Sequence, residues 1–287
     1  MESLIGVLFD GIAYGSLLFL ISVGLSVTMG LMNFINLAHG AFAMVGGYAC
    51  VMLMSRLGMP FLLTLPLAFI ASAVVGLLLE RTLYRRLYKA SELDQVLFSI
   101  GLTFMAVAGV TWLFGPSQQP LQLPDWLRGQ VGVFGIELGA YRLFLIAIVV
   151  LITAALGLLI ERTRFGAQIR ASVDNQQAAA GLGINVSRVF SLTFALGSGL
   201  AGLGGALGVD VLGLDPVFPL KYMVYFLLVV AVGGAGTIKG PLLAAIILGI
   251  FDVAGKYYIP DVGAFVIYGL MVVLLLWFPA GLIRRKA

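Results

Sequence analysis

Apolar residues fill this chain in long unbroken runs, without the alternation of a half-buried strand or the one-sided stripe of a surface helix. The runs near 4–30, 37–55, 61–79, 94–114, 142–160 and 189–209 are each close to the roughly 20 residues that cross about 30 Å of hydrocarbon. Two further runs, 221–236 and 241–257, are short and meet at Gly236, Thr237, Ile238, Lys239 and Gly240, and a last one covers 262–278. The pattern predicts an all-α polytopic membrane protein. It has about eight to nine transmembrane helices, some short or broken, in a single transmembrane domain over 1–287.

The longest polar interval, Glu161 to Arg188, has to lie in water. Asp174 is placed to cap a short helix whose third position is Gln177, a capping-box spacing, and Gly183 can supply the left-handed residue that ends it. Ala178, Ala179, Ala180, Gly181 and Leu182 lie between these signals. Such a small capped helix permits close backbone approach, which marks the interval as a docking element.

Composition agrees with the runs: of 287 residues, 61% are apolar and 10% charged, with mean hydropathy +1.09. The net charge of +4 is not a nucleic-acid signal, because the basic residues stand at the ends of apolar runs. Arg81, Arg85, Arg86 and Lys89 follow the third run. Arg162, Arg164, Arg170 and Arg188 lie in the polar interval, and Arg284, Arg285 and Lys286 close the sequence. Placing these clusters in the cytoplasm requires nine crossings, with the N-terminus outside and the C-terminus inside. Together with Lys239, twelve basic residues then fall inside and five outside. The first apolar run is too long for a signal peptide and lacks a basic flank, so it is expected to remain. The loop 115–141, with three prolines and Trp126, reads as an interfacial segment on the outer surface. Trp112 and Trp126 then mark the outer headgroup level and Trp277 the inner one.

Catalysis finds little support. His39 is the sole histidine, with no partner at triad or metal-site spacing, and Cys50 lies in an apolar run where packing is its expected role. Glu80, Glu92, Asp94, Glu161 and Asp174 read as solvated flanks among basic residues. Gly233–Gly240 lacks the Gly-Lys-Ser/Thr of a phosphate-binding loop, so no ATP site is expected in this chain. Asp252 and Lys256, four apart, are placed to pair near the outer end of a span. Gly204 and Gly208, in GxxxG spacing within a Gly-rich span, predict a central, tightly packed helix.

Two interruptions of apolar segments carry more information. One holds Asn33, Asn36, His39 and Gly40; the other holds Gly233, Gly234, Gly236, Thr237, Lys239, Gly240 and Pro241. Each reads either as a tight turn or as a broken helix lining a pathway for solute.

At this point three blocks resemble a known family, the permease subunits of bacterial ABC importers for branched-chain amino acids, the LivH type. The first runs from Gly24-Leu25-Ser26 through Asn33-Phe34-Ile35-Asn36-Leu37-Ala38-His39-Gly40 to Gly46-Gly47-Tyr48. The second is Gln177-Ala178-Ala179 followed by Gly183-Ile184-Asn185-Val186, similar to the EAA loop that docks into the ATPase. The third is Gly233-Gly234-Ala235-Gly236-Thr237-Ile238-Lys239-Gly240-Pro241. Gln177 stands where the general motif has Glu, and the Ile-x-Leu-Pro ending is absent around Thr193–Leu196.

The resemblance implies the ABC importer permease fold and a multi-pass protein of the bacterial inner membrane. It implies two ATPase subunits, a second permease subunit (LivM-like or a second copy), a periplasmic substrate-binding protein and surrounding lipid as partners. ATP is used by the partners, and no cofactor is bound here. Under it, Arg170, Asn175, Gln177, Ala178, Ala179, Gly181 and Gly183 in the loop 161–188 couple to the ATPase. Asn33, Asn36, His39, Gly40, Gly233, Gly234, Gly236 and Thr237 line the substrate pathway. The substrate is a branched-chain or related amino acid, with urea, short amides or aromatic acids as same-family alternatives. A stand-alone secondary transporter would need ionisable groups near the membrane midplane, and the apolar runs offer almost none.

Overall fold

The computed structural model describes residues 2–32, 34–133, 136–278 and 281–283. The chain order is α1 (Glu2–Met32), α2 (His39–Leu57), α3 (Phe61–Leu79), a π turn (Glu80–Tyr84), α4 (Arg85–Leu87), α5 (Glu92–Phe114) and α6 (Asp125–Arg128). A hairpin follows, β1 (Gln130–Val133) and β2 (Ile136–Gly139), then α7 (Ala140–Arg162), α8 (Arg164–Asp174), α9 (Gln176–Gly181) and α10 (Val186–Leu212). The described chain closes with α11 (Phe218–Gly233), α12 (Lys239–Tyr258) and α13 (Gly263–Trp277).

Seven of these helices, counting α3 through α4 as one, are long and apolar enough to cross a membrane, and α11 and α13 are shorter apolar helices. Each of the nine predicted spans thus has a helix; of the two runs read as short, 221–236 is the short α11, while 241–257 is α12, long enough to cross, and the second short helix is α13. The hairpin, which pairs Gln130 with Gly139 and Val133 with Ile136, was not foreseen within the loop 115–141. It identifies one face of the bundle as the hairpin face; the polar interval 161–188 lies on the other, the loop face.

The most buried of the spanning helices is α10, and the reason is its glycines. A Cβ on Gly202 would strike Ser72 of α3, one on Gly205 the Ala43 carbonyl of α2, and one on Gly197 would lie 2.9 Å from the Gly24 carbonyl of α1. Backbones therefore meet where side chains would hold them apart. Without water between helices, this close packing is a main source of cohesion in a bilayer. Gly204 packs on Ile21 and Gly208 on Leu17, so the GxxxG spacing marks the α1 contact. Among the seven long helices α5 and α7 are the least buried; Trp112 is 84% exposed and Met105 and Leu151 point outward.

Several polar groups inside the bundle are tied down. Asp252, 1% exposed, takes the Lys256 ammonium at 2.5 Å, the predicted pair. Cys50 is buried against Thr64 Oγ1 at 3.1 Å. One reading is corrected: Glu80 is no solvated flank. It is fully buried, accepting from Tyr88 Oη (2.6 Å) and Ser191 Oγ (2.5 Å), with Arg85 Nε 3.8 Å away. A carboxyl at a basic span end is ordinarily solvated; the π turn instead swings this one inward onto α10.

Candidate functional site

Each predicted interruption contains non-helical chain, 34–38 in the first and 234–238 in the second, while His39, Gly40, Gly233, Lys239, Gly240 and Pro241 belong to the flanking helices. At the first, His39 opens α2, and its Nε2–H donates to the Ile21 carbonyl oxygen at 2.8 Å. Met32 lies about 16 Å further along α1 than Ile21 at 1.5 Å rise per residue. The connector therefore folds back beside α1 before α2 begins. Asn33 lies outside the described residues. From Phe34 on, the exposed amides are met by side chains: Gln95 Oε1 accepts from the Ile35 N–H (3.4 Å) and Asn36 Oδ1 from the Ala38 N–H (3.1 Å). Tyr84 Oη also donates to Asn36 Oδ1 at 2.9 Å. Asn36 and His39 are both buried, and Asn36 Nδ2 has no partner among the described residues.

The second interruption is a glycine turn pressed against α1. Gly234 (φ +93°) and Gly236 (φ +80°) take left-handed backbone that a β-carbon resists. The Gly236 N–H donates to the Ser26 carbonyl (2.8 Å), Ser26 Oγ to the Thr237 carbonyl (2.9 Å), and Thr237 Oγ1 to the Gly234 carbonyl (3.1 Å). A Cβ on Gly30 would strike Gly236, and one on Gly240 would strike the Gly233 carbonyl. The Leu282 N–H donates to the Val232 carbonyl (2.7 Å), so chain after α13 returns to close this end.

One short helix joins the two. Helix α11 starts beside the first interruption, where a Cβ on Gly40 would lie 3.0 Å from Pro219 Cα, and ends at Gly233 in the second. Its sixteen residues reach about 24 Å, less than the roughly 30 Å of hydrocarbon. Residues 213–217, within the gap between the runs 189–209 and 221–236, connect α11 to α10. Gly213 (φ +73°) ends α10, Leu214 packs near Gly47, and Asp215 leads through Pro216 into α11. Asp215 Oδ1 and the nearby Tyr48 Oη are buried without a partner among the described residues. The Asp-Pro pair inside an apolar stretch is the signal that marked it.

On the loop face, three caps in succession shape the polar interval. Thr163 Oγ1 accepts from the Gly166 N–H (3.0 Å), Asn175 Oδ1 from the Ala178 N–H (2.9 Å), and Asn185 Oδ1 from the Arg188 N–H (3.0 Å). Asn175, not Asp174, therefore caps α9. Asp174 completes α8, because the extended backbone that a cap requires falls one residue later. Gly183 has φ +84°; its N–H donates to the Ala180 carbonyl and that of Ile184 to Ala179, the paired bonds of a Schellman ending.

Asn175, Gln177, Ala178, Gly181 and Gly183 are exposed, while Ala179 is buried and anchors the segment. Leu182, 82% exposed at the tip, is an apolar side chain left largely uncovered by the described residues. Arg170 is exposed and donates to the Ile160 carbonyl of α7.

The loop face and the second interruption share a cavity of about 430 Å³. Ile169, Arg170 and Val173 of α8 line one side, Gly236, Thr237 and Lys239 another, and Gly157 of α7 a third. Arg170 thus joins the second interruption, while Gln177–Gly183 sit apart at the exposed tip.

A bundle of helices long and apolar enough to cross a membrane, with a capped and solvent-facing segment on one face, is the architecture of a multi-pass membrane permease. The chain belongs to the family described as the branched-chain amino acid transport system / permease component, whose profile matches residues 7–275. It is 29% identical to the high-affinity branched-chain amino acid transport system permease protein BraD of Pseudomonas aeruginosa, covering 97% of this chain and 95% of that one. It is 27% identical to LivH of Escherichia coli K12, which carries the same description, over 97% and 94% of the two chains. It is also 28% identical to a probable branched-chain amino acid transport permease protein LivH of Methanocaldococcus jannaschii, over 94% and 87%. No solved structure matches the chain.

Proposed function

We propose that this chain is the membrane-spanning permease subunit of an ATP-driven importer for branched-chain or related hydrophobic amino acids in the bacterial inner membrane. In this reading 1–287 is one transmembrane domain, the N-terminus faces the periplasm and the C-terminus the cytoplasm. The loop face, with 161–188, meets two ATPase subunits. A second permease subunit completes the membrane unit, and a periplasmic binding protein delivers solute to the hairpin face. The chain binds no cofactor and catalyses no reaction; ATP is hydrolysed by the partners.

The observation that carries this reading is the Asn175-to-Gly183 segment, capped at both ends, anchored by Ala179 and otherwise exposed. A six-residue helix has no stability of its own to speak of, so its double capping argues for a surface that must keep one shape. Gln177, Ala178, Gly181 and Gly183 supply that surface, Leu182 its apolar knob, and Arg170 the link to the cavity beside Gly236. The interruptions at Asn33–Gly40 and Gly233–Thr237, joined by α11, are the elements we assign to the solute pathway.

The test is reconstitution of the chain with its permease partner, ATPases and binding protein in liposomes, with uptake of radiolabelled leucine as the readout. Uptake that requires internal ATP and the binding protein is expected. Uptake by the isolated chain driven by an ion gradient alone would overturn the assignment.

A further inference from the structure

Glu80, Tyr84 and their neighbours form a buried polar and aromatic chain that joins the docking segment to the first interruption. It starts at Asn185, which caps α10 two residues after Gly183. Ser191 lies six residues along that helix, about 9 Å. Its Oγ donates to Glu80 Oε2 at 2.5 Å, and Arg85 Nη2 lies 3.4 Å from the same oxygen of Ser191. One turn on, Phe194 packs against Tyr84, ring centroids 4.8 Å apart. Tyr84 is fully buried and also held edge-on by Phe34 (5.2 Å) and Phe98 (5.1 Å). Its hydroxyl donates to Asn36, whose Oδ1 also holds the Ala38 N–H just before α2.

We propose that Glu80 and Tyr84 are positioning residues that relay movement of the docking segment, through the first turns of α10, to the connector between α1 and α2. The inference rests on the importer reading. Its physical basis is the cost of leaving the relay behind. If α10 shifts and Glu80 does not follow, a buried carboxyl loses the Ser191 donor on Oε2 and keeps only Tyr88 and Arg85 on Oε1. Glu80 sits in a π turn, where i→i+5 bonding can give way to i→i+4 and so turn the helix on one side against the other. Tyr84, four residues on, is carried with it and takes Asn36 along.

The test uses the complete importer in liposomes with Tyr84→Phe and Ser191→Ala, which each remove one hydroxyl. Expected is ATP hydrolysis close to that of the wild type, with solute moved per ATP reduced about tenfold. Ser191→Thr, which keeps a hydroxyl facing Glu80, should restore the ratio. In the wild type, nucleotide should change hydrogen exchange at residues 34–38, and Ser191→Ala should abolish that response. Unchanged ratios in both variants overturn the relay. So do uptake and hydrolysis that fall in parallel with the amount of folded complex, the signature of a merely structural role. A wild-type complex without ATP-driven uptake overturns the importer reading, and the relay with it.

Discussion

Gly183 allows backbone conformation to be separated from contact. Its φ of +84° is left-handed, yet a Cβ built there would meet nothing within 4 Å. Gly183→Ala therefore introduces no collision, and its whole cost is that of holding a β-carbon in left-handed backbone, about 1–2 kcal/mol. That lowers the closed-to-open ratio of the helix end by a factor of roughly 5–30. Asn tolerates this region better, so Gly183→Asn should fall between Gly and Ala. Gly183→Pro removes the N–H that bonds Ala180, fixes φ near −65° and should abolish the ending. Gly181 is the control: it is helical, exposed and open, so Gly181→Ala should be neutral or stabilising by about 0.5–1 kcal/mol. If the ATPase binds only the closed form, its apparent affinity falls by the same factor as the population. Titration of the ATPase onto the reconstituted permease, with uptake as a second readout, should rank the variants Gly, Asn, Ala, Pro. Equal affinity for Gly183→Ala, Gly183→Pro and wild type would refute both the conformational account and the docking assignment.

Other outcomes test the frame around that segment. Gly46→Leu drives a side chain into the Gly202 backbone of α10 and should cost stability at or above the top of the about 1–3 kcal/mol typical of overpacking. Gly101→Leu on exposed α5 meets nothing and should leave the unfolding midpoint in detergent nearly unchanged. Lys256→Ala strands the buried Asp252 carboxylate and should destabilise by about 2 kcal/mol or more, whereas Asp252→Asn leaves a half-exposed ammonium and should cost about 1 kcal/mol or less. Reversal of that order in thermal unfolding would show that Asp252 is not buried as charge. Trp112, exposed near the hairpin-face end of α5, should be quenched by lipids brominated near the headgroup in a chain whose other two tryptophans are replaced by Phe. No quenching would move α5 away from lipid.

The spans were legible because hydrocarbon imposes a length on apolar runs, and the glycines of α10 because close helix contact leaves no room for a β-carbon. Gly183 was legible for a similar reason: few residues other than glycine end a helix left-handed. Capping was read one residue early. Asp174 and Asn175 carry equivalent side chains, and only the backbone, extended at 175, decides which one caps. Glu80 was misread because composition places an acidic residue beside arginines but does not show a π turn rotating it inward. The break at 213–217 falls in the gap between the runs 189–209 and 221–236, but both helices run further into that gap than the runs did, because Leu212, Val217 and Phe218 are apolar and only Gly213, Asp215 and Pro216 end helical bonding.

The backward fold of the α1–α2 connector constrains how the protein is made. Segments leave the ribosome in order, but the amide of Ile35 is met by Gln95 and the carboxamide of Asn36 by Tyr84, both synthesised later. Until α3 and α5 have entered the bilayer, the chain before α2 carries polar backbone that lipid will not satisfy. The bond of His39 to Ile21 needs only the first two segments, but the final packing of the connector between them is completed by residues that do not yet exist when it is translated.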